Sequence, residues 1–291
     1  MTLRNSDVKP PFKWTGGKNR MREQYRTIFQ PPGEIEVFVD MFCGATSVSL
    51  WMFENYPNAK FILNDKNQEI IDLYRTIKND WNSFYNFYGT LISKWVSLTP
   101  EDRKKFYYEL REKYCLSPDA RPQHENHAML FLMLKTNFNG MWKAYHKCNG
   151  RYSTPPGTCT QKAGFFSQSE DNKFKEFIDS VTLESGDFGL LDKYSGNGTY
   201  FYADPPYRDS IVEYDGNFND VEQSRLAQFL KDAAAAGSWI SESNKEIGDN
   251  FWQNLFPSNQ YIIHDVSARY TAGRGTSVLN VKEVLITNFL T

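Results

Sequence analysis

The chain has 291 residues, a net charge of −2, 40% hydrophobic and 23% charged residues, and 16% aromatic residues. This composition excludes a disordered chain, and the slight acidity excludes a surface that is basic all over, so any nucleic-acid contact must come from a local patch. No apolar run is long enough to cross a bilayer and Met1 to Trp14 hold no apolar leader core, so a cytoplasmic protein with no membrane partner is expected.

The first element follows Lys13-Trp14-Thr15-Gly16-Gly17-Lys18, where two glycines allow close backbone approach to a ligand. The phosphate-loop spacing is missing there. Met21, Tyr25, Ile28 and Phe29 recur at helical spacing until Pro31-Pro32-Gly33 stops the helix. A strand then ends in Asp40-Met41-Phe42-Cys43-Gly44 and opens a helix, the strand, turn and helix of a nucleotide-cradling unit. The next strand ends at Asp65, about twenty residues on, where such folds place a carboxylate on ribose hydroxyls. Its competing role is to cap the helix carrying Ile70, Ile71, Tyr74 and Ile77.

From Trp81 the pattern becomes helical, with Thr99-Pro100 as a helix start and Ala128 to Leu134 as a buried helix. Asn126 to Ser169 contain no acid but do contain Lys135, Lys143, Lys147, Arg151 and Lys162. Asn149-Gly150 between Tyr145 and Tyr152 predicts a basic, aromatic β-hairpin, suited to contact bases. Strands return with Val181 to Glu184 and Gly198 to Asp204, and a capping box at Asn219 and Glu222 begins a helix that ends at Gly237. Further strands are read at Ser238 to Ser243, Tyr261 to Asp265 and Glu283 to Phe289, with the glycine-rich loop of Gly273-Arg274-Gly275 before the last. The four cysteines are scattered, and His124, His127, Cys148 and Cys159 fit no common zinc spacing, so reduced thiols and no metal are expected.

Asp204-Pro205-Pro206-Tyr207 carries the chemistry. Two prolines remove two N–H donors and leave their carbonyls facing outward as acceptors, beside a carboxylate and a flat ring. That set suits an exocyclic amino group on an extruded base. The bland reading is a strand end followed by a proline turn.

These segments, in this order and over nearly the whole chain, resemble the Dam family (alpha, or D12, class) of S-adenosylmethionine-dependent DNA adenine-N6 methyltransferases. The resemblance implies a Rossmann-like α/β methyltransferase sheet, formed by 1–75 and 170–291, with an inserted helical target-recognition domain at 76–169 carrying the hairpin. It implies a catalytic role for Asp204, Pro205, Pro206 and Tyr207, and cofactor contacts from Phe12, Trp14, Gly16, Lys18, Asp40, Phe42, Gly44, Asp65, Asp187, Phe188 and Asp204. Double-stranded DNA would be held by Lys13, Asn139, Met141, Lys143, Lys147, Arg151, Pro155 and Arg274. A monomer acting at GATC or a related short site, in a bacterial or phage-infected cell and at its nucleoid, is the corresponding expectation. Three departures bear on it. Thr46 stands where many relatives carry a second glycine, Lys143 where they use Arg to reach guanine, and Pro156 where they carry an aromatic residue. Lys lacks the planar fork that Arg presents to guanine.

Rival readings are a methyltransferase of RNA, cytosine or protein glutamine, a DNA-binding module without catalysis, and a dinucleotide oxidoreductase. The full Gly-x-Gly-x-x-Gly run needed for the last is missing.

Overall fold

The computed structural model describes residues 3, 9–116, 118–208, 218–271 and 278–290. Contacts divide the chain into two compact units, Met1–Asp7, Lys18–Lys66 and Glu184–Thr291 in the first and Val8–Gly17 and Asn67–Leu183 in the second.

In chain order the strands are β1 (Val37–Asp40), β2 (Lys60–Asp65), β3 (Thr182–Ser185), β4 (Thr199–Ala203), β5 (Trp239–Lys245), β6 (Ile262–Thr271) and β7 (Val278–Thr287). They form one sheet in the order β3-β2-β1-β4-β5-β7-β6. β2, β1, β4 and β5 pair in parallel, while β7 runs antiparallel to both β5 and β6. The chain starts at β1, winds out to β3, returns to β4 beside β1, and so places a topological switch point between β1 and β4. A dinucleotide fold would continue in parallel to a sixth strand. The antiparallel β7 wedged between β5 and β6 makes this a Rossmann-like methyltransferase sheet instead.

Burial explains the strand sequences. Thr199-Tyr-Phe-Tyr-Ala203 is buried at every position, as a central parallel strand covered on both faces requires. Of the helices in this unit, α1 (Arg22–Tyr25) and α2 (Ser47–Asn55) come early. In the second unit follow α3 (Gln68–Asn79), α4 (Trp81–Ser97), α5 (Pro100–Leu116), α6 (Gln123–Thr136) and α7 (Gln168–Ser180). The first unit resumes with α8 (Asp220–Ala235) and α9 (Phe251–Leu255). Leu226, Ala227, Leu230 and Ala233 of α8 pack on Val39, Phe201 and Ile240 of the sheet. The expected start of α8 holds, with the Asn219 side chain accepting from the Val221 and Glu222 N–H groups. The Glu222 carboxylate turns to Arg225 at 2.7 Å.

The second unit is a helical packing around α6, which is buried on all sides from Asn126 to Thr136. A helix apolar all round must be surrounded. Phe131 meets the rings of Phe84, Tyr88 and Phe12. Thr99 caps α5 through the Asp102 N–H at 3.2 Å, as the Thr-Pro pair predicts. The hairpin is a correction. Asn149 (φ 52°) and Gly150 (φ 72°) do make the turn, but the flanks join only at isolated antiparallel bridges, Asn137 to Pro156 and Ala144 to Tyr152. A short 3₁₀ turn at His146–Cys148 takes residues that a two-residue turn would leave to the strands.

Candidate active site at the strand ends

Three neighbouring parallel strands, β2, β1 and β4, deliver Asp65, Asp40 and Asp204 to the carboxyl edge of the sheet. Ligands of open α/β sheets bind at this edge, beside the switch point. The acids differ in their surroundings. Asp40 is buried and accepts from Ser49 Oγ, while its Oδ1 meets no donor. Burial above all, with the charges of Asp204 and Asp65 adding, pushes its carboxyl up to about 7. The N-cap residue of α3 is Asn67. Asp65 Oδ2 accepts the Gly44 N–H at 2.9 Å, tying the end of β2 to the loop after β1. Asn64 donates to the Met41 carbonyl at 3.0 Å and to the Gly186 carbonyl at 3.2 Å, so three loops converge here. Thr46 takes the left-handed conformation (φ 59°) at the start of α2, a position that favours glycine and strains a β-branched residue.

Asp204 keeps a fifth of its side-chain exposure and forms an ion pair with Lys18, whose Nζ lies 2.7 Å from Oδ1 and is itself 2% exposed. The same ammonium stands 4.7 Å from the centre of the Tyr207 ring. Burial raises the Asp204 carboxyl above the ordinary range, Lys18 opposes that shift, and the Glu283 charge adds to it. The Tyr207 hydroxyl donates to Glu283 Oε2 at 2.8 Å and shares a hydrogen bond of 2.7 Å with Ser243. Ser243 also meets Tyr25 at 2.9 Å. The Tyr207 ring is therefore fixed from behind by buried polar groups, and the ion pair holds Lys18 and Asp204 together beside it. Lys18, Asp204 and Tyr207 come together, while Pro206 turns its carbonyl inward to the Gln223 amide at 2.9 Å, contrary to the expectation of two outward carbonyls.

Asp187 lies exposed after β3, with Arg225 of α8 bridging both of its oxygens at 2.8 and 2.6 Å. The Arg225 guanidinium lies 3.9 Å over the Phe188 ring, which also packs near Phe42. Lys18, Asp40, Phe42, Gly44, Asp65, Asp187, Phe188 and Asp204 to Tyr207 thus all belong to the first unit.

Phe12, Lys13, Trp14 and Gly16 belong to the second unit. Phe12 is buried against Tyr74, and Trp14 lies against Trp142 at 5.8 Å. The Thr15 N–H donates to the Gly140 carbonyl at 2.9 Å, which sets Lys13 beside Asn139 and Gly140. Met141 is half-buried, and Lys143 and Asn139 are exposed. The loop is stiff at its base. Asn137 donates to the Met141 carbonyl and to the Tyr152 hydroxyl, and Thr154 Oγ1 accepts the Lys143 N–H at 3.0 Å. Pro155 is half-buried, and its carbonyl accepts the Phe138 N–H at 3.0 Å. Arg151 is folded back, its guanidinium 4.2 Å from the Tyr114 ring and its Nε 3.9 Å from Glu69. The Lys147 side chain and Arg274 lie outside the described residues.

Sequence reasoning missed Ser243, Gln223, Arg208 and Arg225 as parts of this site. The acids Glu242 and Glu283, each followed or preceded by buried strand residues, were the available signal. Among the described residues no cluster fit to hold a metal ion occurs, and no helix is long and apolar enough to cross a membrane.

Comparison with known proteins gives one family. The model described as D12 class N6 adenine-specific DNA methyltransferase matches residues 14–272. The chain is similar to Type II methyltransferase M.MjaIII of Methanocaldococcus jannaschii, 28% identical over 84% of this chain and 87% of that protein. It is also similar to Type II methyltransferase M1.LlaDCHI of Lactococcus lactis subsp. cremoris, at 25% identity over 97% and 96% of the two chains. The DNA adenine methylase of Haemophilus influenzae is 24% identical over 77% of this chain and 74% of its own length.

Proposed function

The chain belongs to the D12 class of N6 adenine-specific DNA methyltransferases, and on that premise we propose that Asp204 and the Pro205 carbonyl accept the two amino hydrogens of an adenine extruded from duplex DNA. The observation that carries this reading is the convergence of the Asp204 carboxylate and the Tyr207 ring on one nitrogen, that of Lys18, at 2.7 and 4.7 Å.

An adenine amino lone pair is delocalised into its ring and is a poor nucleophile. Two acceptors on its hydrogens favour a pyramidal nitrogen whose lone pair is free to attack. S-adenosylmethionine, when bound, supplies a methyl group on positively charged sulfur. The strand-end acids suit such a hydroxyl-bearing ligand, because Asp40, Asp65 and Asp204 line the edge as acceptors and Asp40 Oδ1 is a buried acceptor without a donor. Asp65 would accept from the ribose hydroxyls, and Asp187 with Phe188 would hold the adenine moiety. Lys18 opposes the effect of burial on Asp204 and so favours the ionised form that accepts hydrogen bonds. Tyr207, with its hydroxyl pinned by Ser243 and Glu283, offers a fixed ring for base stacking, which helps offset the few kcal/mol that base extrusion costs.

The second unit serves as the reader of the target. Lys143, exposed on a loop whose backbone is hydrogen-bonded to Ser153 and Thr154, reaches the base edges of a short site such as GATC. Replacing Asp204 tests the assignment. Asp204→Ala abolishes methyl transfer to DNA, measured with radiolabelled cofactor, while cofactor binding by calorimetry persists. Retained turnover refutes the acceptor role.

A further inference from the structure

Asp204 is followed by two consecutive carbonyls, yet the adenine amino group needs only one partner besides the carboxylate. The structure treats them differently. The Pro206 carbonyl accepts from Gln223 Nε2 at 2.9 Å, whereas among the described residues the Pro205 carbonyl has no such bond. Gln223 is fully buried on α8. A carbonyl only accepts, so the Gln223 amide nitrogen must face Pro206. Its oxygen then accepts from Asn244 Nδ2 at 3.0 Å.

Asn244, equally buried at the end of β5, fixes this arrangement. Its nitrogen also lies 3.4 Å from Glu242 Oε1, and its oxygen accepts the N–H groups of Arg208 at 3.3 Å and Lys245 at 2.9 Å. The residue after Tyr207 is therefore held at its backbone. Its side chain is held as well. Arg208 is 8% exposed, forks onto both Asp220 oxygens at 2.7 and 2.9 Å, reaches Asp249, and lies 3.7 Å over the Phe251 ring. Burial pushes the Glu242 carboxyl up to about 8, which favours its protonated form beside Asn244 at neutral pH.

We infer that Gln223 is a positioning residue of the methyl transfer: by holding the Pro206 carbonyl toward α8, it leaves the Pro205 carbonyl as the single acceptor beside Asp204. In the step it serves, the bond from N6 to the methyl carbon forms as the carbon–sulfur bond breaks. The electron pair of that bond stays on sulfur, and the surplus amino proton leaves to water. The inference rests on the reading of Asp204 and Pro205 as acceptors, and it adds the residue that decides which carbonyl serves.

Two variants test it. Gln223→Met keeps length and loses the donor. Gln223→Glu donates to Pro206 only while its carboxyl is protonated. The measurements are kcat and KM for duplex DNA, cofactor affinity by calorimetry, and thermal unfolding. For Gln223→Met, kcat falls about tenfold or more while cofactor affinity and the KM for DNA stay within about twofold. For Gln223→Glu, the rate relative to the unmodified protein rises as pH falls from 9 to 6. An unchanged kcat in Gln223→Met, or a relative rate of Gln223→Glu that ignores pH, overturns the inference. Loss of cofactor binding together with turnover in both variants marks Gln223 as structural only and overturns it too. Asp204→Ala, run alongside, separates the two levels, because turnover retained there means that the acceptor reading has failed before Gln223 is judged.

Discussion

Buried acids set the behaviour of individual residues in this protein. Glu242 lies wholly inside the sheet, its Oε2 without a donor, and burial raises its carboxyl to about 8 from an ordinary value of 4.5. In the unfolded chain the group loses its proton near its ordinary value, and in the folded chain only near pH 8. Between those limits the folded state binds more protons, so this group lowers stability as pH rises from about 4.5 to 8, and the loss is complete above. Glu242→Gln removes that dependence. Its melting temperature gains on the unmodified protein at pH 9 by at least a few degrees more than at pH 5, read by scanning calorimetry. An equal shift at both pH values contradicts the neutral buried carboxyl. Residues such as Asp65 and Asp204 were legible in the sequence as acids at the ends of apolar runs, because strand ends can be read locally. Their partners were not. Lys18 and Asp204, or Tyr207 and Glu283, are far apart in the chain, and only the sheet order brings them together.

Among the elements, the loop from Asn137 to Gly157 depends most on backbone fit. Gly140 has φ +69°, and a side-chain carbon there would stand 2.8 Å from the backbone of both Lys13 and Trp14. Neither neighbour is a flexible side-chain tip, so Gly140→Ala pushes the N-terminal segment away and strains the left-handed turn. A loss of roughly 2 kcal/mol or more is expected, in the range of strain plus steric overlap. Gly89, inside α4, has nothing within 4 Å of the added carbon. Gly89→Ala therefore stabilises by about 0.5–1 kcal/mol through helix propensity. Urea unfolding of the pair checks both signs, and a tolerated Gly140→Ala contradicts the packing of Lys13 on this loop. The strands and long helices were readable from their periodicity, and the caps at Thr99 and Asn219 from local chemistry. The loop was read as a hairpin because Asn149-Gly150 is a turn signal. The 3₁₀ turn at His146–Cys148, and the anchoring of the loop by buried Asn137, Tyr107 and Tyr152, depend on α5 and α6 and leave no periodic trace.

For the whole molecule, composition alone pointed away from a surface that is basic all over, since a net charge of −2 leaves room only for a local patch. The order of short motifs carried the reading instead, and the family match over residues 14–272 agrees with it. The sheet sets aside one alternative, the dinucleotide oxidoreductase. Its antiparallel β7 departs from a dinucleotide fold, and Lys18 and Tyr207 gather around Asp204 at its strand ends, the arrangement on which the proposed amino-group site rests. Unspecialised duplex DNA, incubated with the purified protein and S-adenosylmethionine and then digested to nucleosides for mass spectrometry, tests that account directly. N6-methyldeoxyadenosine is the expected product and is absent with Asp204→Ala. Methylated deoxycytidine in its place, or DNA left unmodified while RNA or protein takes the label, would contradict it.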